Sequence, residues 1–205
     1  MNWKKLFGLG KNQVPQENIE KARIELGFSE EVISIIRMHT NSPLQPLNHQ
    51  DLYTDDSVKT VGISFKTNEG EAEEMVAKLN AEFKRIGYQA FICNHDYEEI
   101  GVIKGIDQFD ILKIRQTNGD NYDISNEEVI AKLRVWHQRY PFTIIGADYD
   151  WVEAKFKVFP ENKELKAFAD EIYKFCPDIV DQGSGSIDGL IEDMKETKKL
   201  YLWWD

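Results

Sequence analysis

The amino-acid sequence predicts an α+β fold in which helices pack on a mainly antiparallel sheet. The first indication is a β-α-β unit. Residues 58–65 alternate apolar and polar side chains, as a strand with one buried face does. Residues 69–86 repeat apolar side chains at helical spacing, and Gly87 ends this helix. Residues 88–93 then form a second strand, so the helix connects two strands.

A second indication is the order of elements after residue 108. The predicted order is β-α-β-β-α-β with an extra helix before the last strand, which is a ferredoxin-like arrangement. A weak strand near residues 100–104 precedes it. The acids of the turn Asp148-Tyr149-Asp150 are interpreted as ordinary turn residues. The predicted strands are 109–115, 142–147, 151–159 and 199–204, and the helices begin near Ser125, Lys163 and Ser186.

The N-terminal part of the chain has a different character. Residues 16–40 have a helical pattern with Ser29 as an N-cap, and residues 41–57 are rich in proline and turn-forming residues, which predicts a linker. We therefore divide the chain into an N-terminal helical arm and linker, residues 1–57, and an α+β domain, residues 58–205. The first ten residues contain lysines and large apolar side chains, which favours a frayed terminus or a flap over a membrane-surface helix.

Charge and composition exclude several classes of protein. The chain has 205 residues and a formal net charge of −11, and its lysines are interleaved with acids. We expect no nucleic acid as a partner, because an acidic surface repels phosphate backbones. Two distant cysteines and the lack of a long apolar run predict a cytoplasmic protein without an integral membrane segment. No motif indicates a cofactor, and the oligomeric state is left open.

Several short motifs stand out in the second half of the chain. They are Asn118-Gly119 with Asn121-Tyr122, Trp136, Trp151, Phe175-Cys176-Pro177-Asp178 and Trp203-Trp204-Asp205. In this order and spacing they resemble the bacterial domain of unknown function DUF4253. The likeness spans roughly residues 58–205 and is densest after Asp110. The resemblance implies a soluble bacterial α+β domain, and it brings no catalytic residue with it.

Cys176 is the main candidate for a catalytic nucleophile. Its base would be His95 or His137, and Asp178 lies two residues further on. However, Cys176 is predicted at the C-terminal end of a helix, where the helix dipole disfavours a thiolate. We therefore predict a buried structural cysteine rather than a catalytic one. A metal site around His95 would need a second pair of ligands with suitable spacing, so no metal is expected.

Aromatic and amide side chains predict a binding surface instead. Alternation along the last strand places one of the two adjacent tryptophans in the core and the other on the opposite face. The favoured role of this pair is structural, as the residues that complete the fold. The predicted surface consists of Trp151, Trp203, Trp204, Asn118, Asn121 and Tyr122. We predict a non-catalytic interaction domain of accessory or immunity-like type, whose partner is a protein and, given the acidic charge, a basic one. The alternative is a small hydrolase or transferase with Cys176 as nucleophile.

Overall fold

The computed structural model describes residues 16–50 and 58–205 of the chain, so the lysine-containing N-terminal segment lies outside the described residues. The helices are α1 (Gln16–Glu25), α2 (Glu30–His39), α3 (Ala72–Phe83), α4 (Phe109–Arg115), α5 (Asn126–Arg139), α6 (Asn162–Phe175) and α7 (Ile187–Thr197). The strands are β1 (Leu44–Gln50), β2 (Val58–Lys66), β3 (Tyr88–Ile92), β4 (Glu99–Lys104), β5 (Phe142–Ala147), β6 (Trp151–Phe156) and β7 (Lys199–Trp203).

These strands form one mixed sheet in the order β1-β2-β4-β3-β5-β6-β7. Neighbouring strands run antiparallel, except that β3 and β5 are parallel. The predicted α+β class with a mainly antiparallel sheet is therefore confirmed. None of the helices in the two described ranges combines the length and the apolar content that a membrane crossing needs.

Two apolar cores lie on the two faces of this sheet. Neighbouring residues of β3 point to opposite faces, so Phe91 belongs to one core and Ile92 to the other. Helices α2 and α3 cover one face, and α4 to α7 cover the other. Trp136 of α5 is fully buried in the second core. Burial of one such large apolar side chain contributes roughly 1.5–3 kcal/mol, so the two cores hold the helices on the sheet.

Local signals set the starts of three helices as predicted. The hydroxyl groups of Ser29, Ser125 and Ser186 each accept a hydrogen bond from a backbone N–H in the first turn of α2, α5 and α7. The side chain of Glu128 also returns to Ser125, which completes the predicted capping box. These caps satisfy N–H groups that a helix leaves without an intrahelical acceptor.

Residues 109–115, which the pattern predicts as a strand, form helix α4. The carboxylate of Asp107 accepts a hydrogen bond from the backbone N–H of Phe109 at 3.1 Å, which stabilises the first turn. Phe109 and Leu112 are one helical turn apart and both buried. A short apolar run fits the periodicity of a strand as well as that of a helix. Here packing against α5 favours the helix. The ferredoxin-like order is not confirmed, because its first strand is this helix.

Part of the predicted linker is also a regular element. Leu44–Gln50 is strand β1, which pairs with β2 at the edge of the sheet. An edge strand tolerates Pro46 because one of its rows of N–H groups has no neighbouring strand. The linker prediction is therefore wrong for these residues. The boundary between residues 57 and 58 adjoins the undescribed residues 51–57 and stays a prediction.

Candidate functional site

Three of the sequence motifs meet at the carboxylate of Asp178. Its Oδ1 accepts hydrogen bonds from the Tyr122 hydroxyl at 2.5 Å and from Gln182 Nε2 at 2.9 Å. Its Oδ2 accepts one from the backbone N–H of Asp205 at 3.0 Å. Only 3% of Asp178 is exposed. We call this group the Asp178 junction, since it joins the loop 117–122, the segment after α6 and the residues after β7.

The hydrogen bonds decide the charge at this junction. Burial alone would raise the pKa of Asp178, but its donors outweigh that effect and lower the pKa below its ordinary value. In turn, the hydrogen bond to Asp178 raises the pKa of Tyr122 to about 12. At neutral pH the junction therefore consists of a buried carboxylate and a neutral tyrosine.

Cys176 and Trp204 close the same region. The Cys176 thiol donates to the carbonyl oxygen of Trp203 at 3.0 Å, and Trp204 Nε1 donates to the carbonyl oxygen of Phe175 at 3.4 Å. The Trp204 ring lies against Gly119, where an added Cβ would come within 2.8 Å of the indole. Glycine is therefore needed at position 119 for the loop to approach the tryptophan.

The loop 117–122 is held against the turn between β5 and β6. The Thr117 hydroxyl donates to the carbonyl oxygen of Asp148 at 2.7 Å, and the Asn118 backbone N–H donates to that of Tyr149 at 2.8 Å. The Asn118 side chain also accepts from the Asp120 backbone N–H at 3.0 Å. These bonds fix the loop in a shape that leaves an opening on each side of it.

Two cavities flank this loop, and Asn118, Asp120 and Tyr149 line both of them. The small cavity has a volume of about 200 Å³ and the large cavity one of about 860 Å³. The small cavity is lined by Asn118, Asp120, Asn121, Tyr149, Asp150, Trp204 and Asp205. The large cavity lies between the end of α4, the start of α5 and strands β1 and β2. Together they form a concave region around these sequence motifs.

The small cavity is acidic. Asp120, Asp150 and Asp205 line it together with two aromatic side chains, and no Lys, Arg or His from residues 16–50 and 58–205 is among its lining residues. Behind it, His95 Nε2 lies 3.1 Å from Asp150 Oδ1. The carboxylate of Asp150 also raises the pKa of the neighbouring Tyr149. A cavity of this composition favours a positively charged group.

The large cavity carries both signs of charge. Arg115 of α4 is held by an ion pair with Asp148 and donates to the carbonyl oxygen of Asn48 at 3.3 Å. Its Nε is buried and has no hydrogen-bond partner among the described residues. Acidic side chains reach the cavity from the stretch 120–127. The cavity is thus polar. Its basic side chains come from β1, β2 and α4, whereas most of its acids come from residues 120–127.

The turn after β5, one of the two parallel strands, contributes Tyr149 to both cavities. The segment 93–98 follows β3 and the turn 148–150 follows β5, so the two connections leave the same edge of the sheet. Strand β3 then pairs with β4 on one side, and β5 pairs with β6 on the other. The connections diverge there, which is where open sheets form binding crevices. The His95–Asp150 contact bridges the two connections.

The candidate catalytic residues lie in different surroundings. Cys176 is fully buried, and burial raises the pKa of its thiol to about 12. His95 contacts Asp150 and the Trp151 ring, whereas His137 Nδ1 accepts from the Phe142 backbone N–H at 3.2 Å. The contacts of the described residues therefore place neither histidine against the thiol. No group of three possible metal ligands occurs within residues 16–50 and 58–205.

The residues predicted as a binding surface are divided between two places. Asn118, Asn121 and Trp204 line the small cavity, and Tyr122 binds Asp178 beside it. Trp151 is fully buried, and its cross-strand neighbour Trp203 lies on the sheet face opposite to Trp204. The sequence pattern missed Asp120, Tyr149, Asp150 and Asp205 as cavity residues. The available signal was the density of acids in the two turns, which also fits ordinary turn chemistry.

Comparison with protein families identifies the class of the domain. The family model described as Domain of unknown function (DUF4253) matches residues 99–205, which is just over half of the chain. The chain therefore belongs to the DUF4253 family, as the motifs suggested. The match contains the Asp178 junction and all lining residues of the small cavity. Comparisons with curated proteins and with solved structures give no match.

Proposed function

We propose that this protein is a non-catalytic interaction domain whose small cavity binds a basic side chain of a protein partner. The observation that supports the proposal is the lining of that cavity, to which the described part of the chain contributes three carboxylates, two aromatic rings and no cationic residue. A lysine or arginine side chain supplies the missing positive charge. A bacterial cytoplasmic location is part of the proposal, and the free, buried thiols of Cys93 and Cys176 are compatible with a reducing compartment.

The chemistry of the lining explains why a cation would bind. Carboxylates around one small cavity add their potentials, and a partly enclosed site focuses them. An arginine or lysine head group over an aromatic face gains roughly 0.5–2 kcal/mol, depending on how far it is desolvated. Tyr149 is 48% exposed and can contact an incoming side chain, whereas Trp204 is buried and supplies a fixed wall.

The rest of the molecule supports a basic protein as the source of that side chain. The net charge of −11 attracts basic surfaces over a distance and raises the rate of association. An accessory or immunity-like domain that masks a basic region of its partner would act in this way. We do not propose the enzymatic alternative, because the Cys176 thiol is buried and bonded to the Trp203 carbonyl oxygen.

The proposal is tested with single amino-acid probes that differ only in charge. Acetyl-arginine amide and acetyl-lysine amide are titrated into the protein, with acetyl-citrulline amide as the neutral control for arginine. We expect the amide signal of Asn121 and the indole signal of Trp204 to shift in nuclear magnetic resonance spectra with the two cations alone. Asp120→Asn should weaken the response several-fold, and Glu192→Gln, at an exposed position outside both cavities, should leave it unchanged.

Equal responses to the arginine and citrulline probes would show that the small cavity does not prefer a cationic side chain to a neutral one, which would contradict the proposal. A response that survives Asp120→Asn would place the binding elsewhere on the acidic surface. Once the cationic probe is located, partner capture with wild type and with an Asp120→Asn, Asp150→Asn double variant tests the interaction function itself. A partner that the wild type and the double variant retain equally would contradict the proposed role of the small cavity.

A further inference from the structure

The large cavity carries an inference that does not rest on the proposed function. We propose that it binds a small zwitterionic molecule, with an anionic group toward the strands and α4 and a cationic group toward the loop and the start of α5. Its volume of about 860 Å³ falls in the range of about 300–1,000 Å³ that cavities for small molecules occupy. The placement of its charged residues provides the second part of the inference.

The basic side chains come from one set of elements. His49 and Lys59 belong to the paired strands β1 and β2, and their positions are direct cross-strand neighbours. Arg115 and Lys113 come from the last turn of α4, and Arg115 donates to the backbone of β1 at Asn48. Strand pair and helix end therefore place these basic side chains on one wall of the cavity, where Arg115 is paired with Asp148 and Lys113 with Asp110.

Arg115 gives this wall a specific feature. Its two terminal nitrogens are engaged by Asp148 and by the carbonyl oxygen of Asn48. Only 11% of the Arg115 side chain is exposed. Its Nε is buried and has no hydrogen-bond acceptor among the described residues. A buried donor without an acceptor is unfavourable. The contacts with Asp148 and Asn48 fix the guanidinium group of Arg115 on the wall between α4 and β1.

The acids come from the other side of the cavity. Asp120, Asp123 and Glu127 lie in the stretch from the loop into the first turn of α5. None of the three takes part in an ion pair within the described parts of the chain. An ammonium or guanidinium group on this side would therefore meet carboxylates that are not already neutralised.

A ligand with both charges satisfies the two walls at once. A purely anionic molecule would be repelled by the acids, and a purely cationic one would be repelled by the basic side chains. Val61, Ile114 and Ile124 lie between the charged groups and offer apolar contact to the body of the ligand. A short peptide with free ends has this charge arrangement and serves as the probe.

The test uses one dipeptide in four forms. Glycyl-phenylalanine is the zwitterion, the N-acetyl form keeps only the carboxylate, the C-terminal amide keeps only the ammonium, and the doubly blocked form keeps neither. Binding is measured by isothermal titration calorimetry with the full chain. We expect the zwitterion to bind at least tenfold more tightly than either singly blocked form. Equal affinities of the four forms, or no binding of the zwitterion, would overturn the proposal.

Two variants assign each end of the ligand to its wall. Lys59 and Glu127 are exposed at their surfaces, line only the large cavity and so can be changed with little risk to folding. Lys59→Gln should weaken the zwitterion and the acetylated form but leave the amide form unchanged. Glu127→Gln should weaken the zwitterion and the amide form but leave the acetylated form unchanged. If either variant lowers the affinity for all four forms of the dipeptide alike, the two walls do not bind the two charges separately and the proposal is wrong.

Discussion

The Asp178 junction and the small cavity lie side by side and use the same residue type in opposite ways. Asp178 is 3% exposed and its carboxylate is surrounded by three donors. Asp120 and Asp205 are exposed, and their side chains form no ion pair among the described residues. A buried carboxylate whose acceptor positions are filled serves the fold, whereas an exposed one without a cation keeps its charge for a ligand.

The same distinction applies on the other face of the sheet. Glu153 is 5% exposed, accepts from the Tyr97 hydroxyl at 2.7 Å and lies 3.1 Å from the Lys199 ammonium. Like Asp178, it is a carboxylate that internal partners compensate. The number of donors around an acid therefore separates structural carboxylates from those that remain for recognition, even though all are Asp or Glu in the sequence.

The largest effect on stability is expected from Asp178→Ala. The variant leaves the Tyr122 hydroxyl, the Gln182 amide and the Asp205 N–H without their shared acceptor. We expect a loss of about 3 kcal/mol in the free energy of unfolding, because several donors lose a charged acceptor together. Urea unfolding at neutral pH measures this loss. A loss below about 1 kcal/mol would mean that the junction does not hold the three segments together.

The pH dependence of the same variant serves as its control. Because the folded-state pKa of Asp178 is lowered, its carboxylate stabilises the fold above the unfolded-state value of about 3.9. That contribution is lost as the pH falls through the folded-state pKa. The difference between wild type and Asp178→Ala should therefore shrink below about pH 4. A difference that stays constant in acid would indicate lost packing instead of a lost charge.

A smaller effect is expected from Tyr122→Phe. It removes one of three donors from the Asp178 carboxylate, and we expect a loss in the free energy of unfolding that is clearly smaller than that of Asp178→Ala, measured by urea unfolding. Tyr173→Phe is a matched control, since the Tyr173 hydroxyl donates to the exposed Asp181 at 3.1 Å. That control should lower the free energy of unfolding less than Tyr122→Phe does, because water replaces the lost bond. Equal losses in the two variants would show that burial of the acceptor does not matter here.

Local patterns in the sequence were sufficient for much of the fold. The α+β class, the helix caps at Ser29, Ser125 and Ser186, and the β5–β6 hairpin follow from propensity and periodicity. Residues 109–115 were assigned wrongly because seven residues cannot separate a strand from a helix when the decision comes from packing against α5. Strand β1 was missed because Pro46 looks like a linker residue unless its edge position is known.

The candidate site was only partly predictable for a different reason. The motif residues Asn118 and Trp204 were singled out and line the small cavity. Its acids were not, because Asp120, Asp150 and Asp205 come from a loop, a turn and the residues after β7, which long-range contacts such as the hydrogen bond from the Asn118 N–H to Tyr149 bring together. An Asp that lines a cavity and an Asp that only forms a turn have the same local sequence. The difference lies in what the rest of the fold brings beside them.

The smallest effect on stability is expected from Asp120→Asn. Asp120 is exposed and lines both cavities, and the change removes one of several neighbouring negative charges. We expect the free energy of unfolding in urea to stay within about 0.5 kcal/mol of wild type, since no buried donor loses an acceptor. A loss above about 1 kcal/mol would contradict the comparison. In that case Asp120 would be a structural acid like Asp178, and the acidity of the cavity would be a consequence of folding rather than a means of recognition.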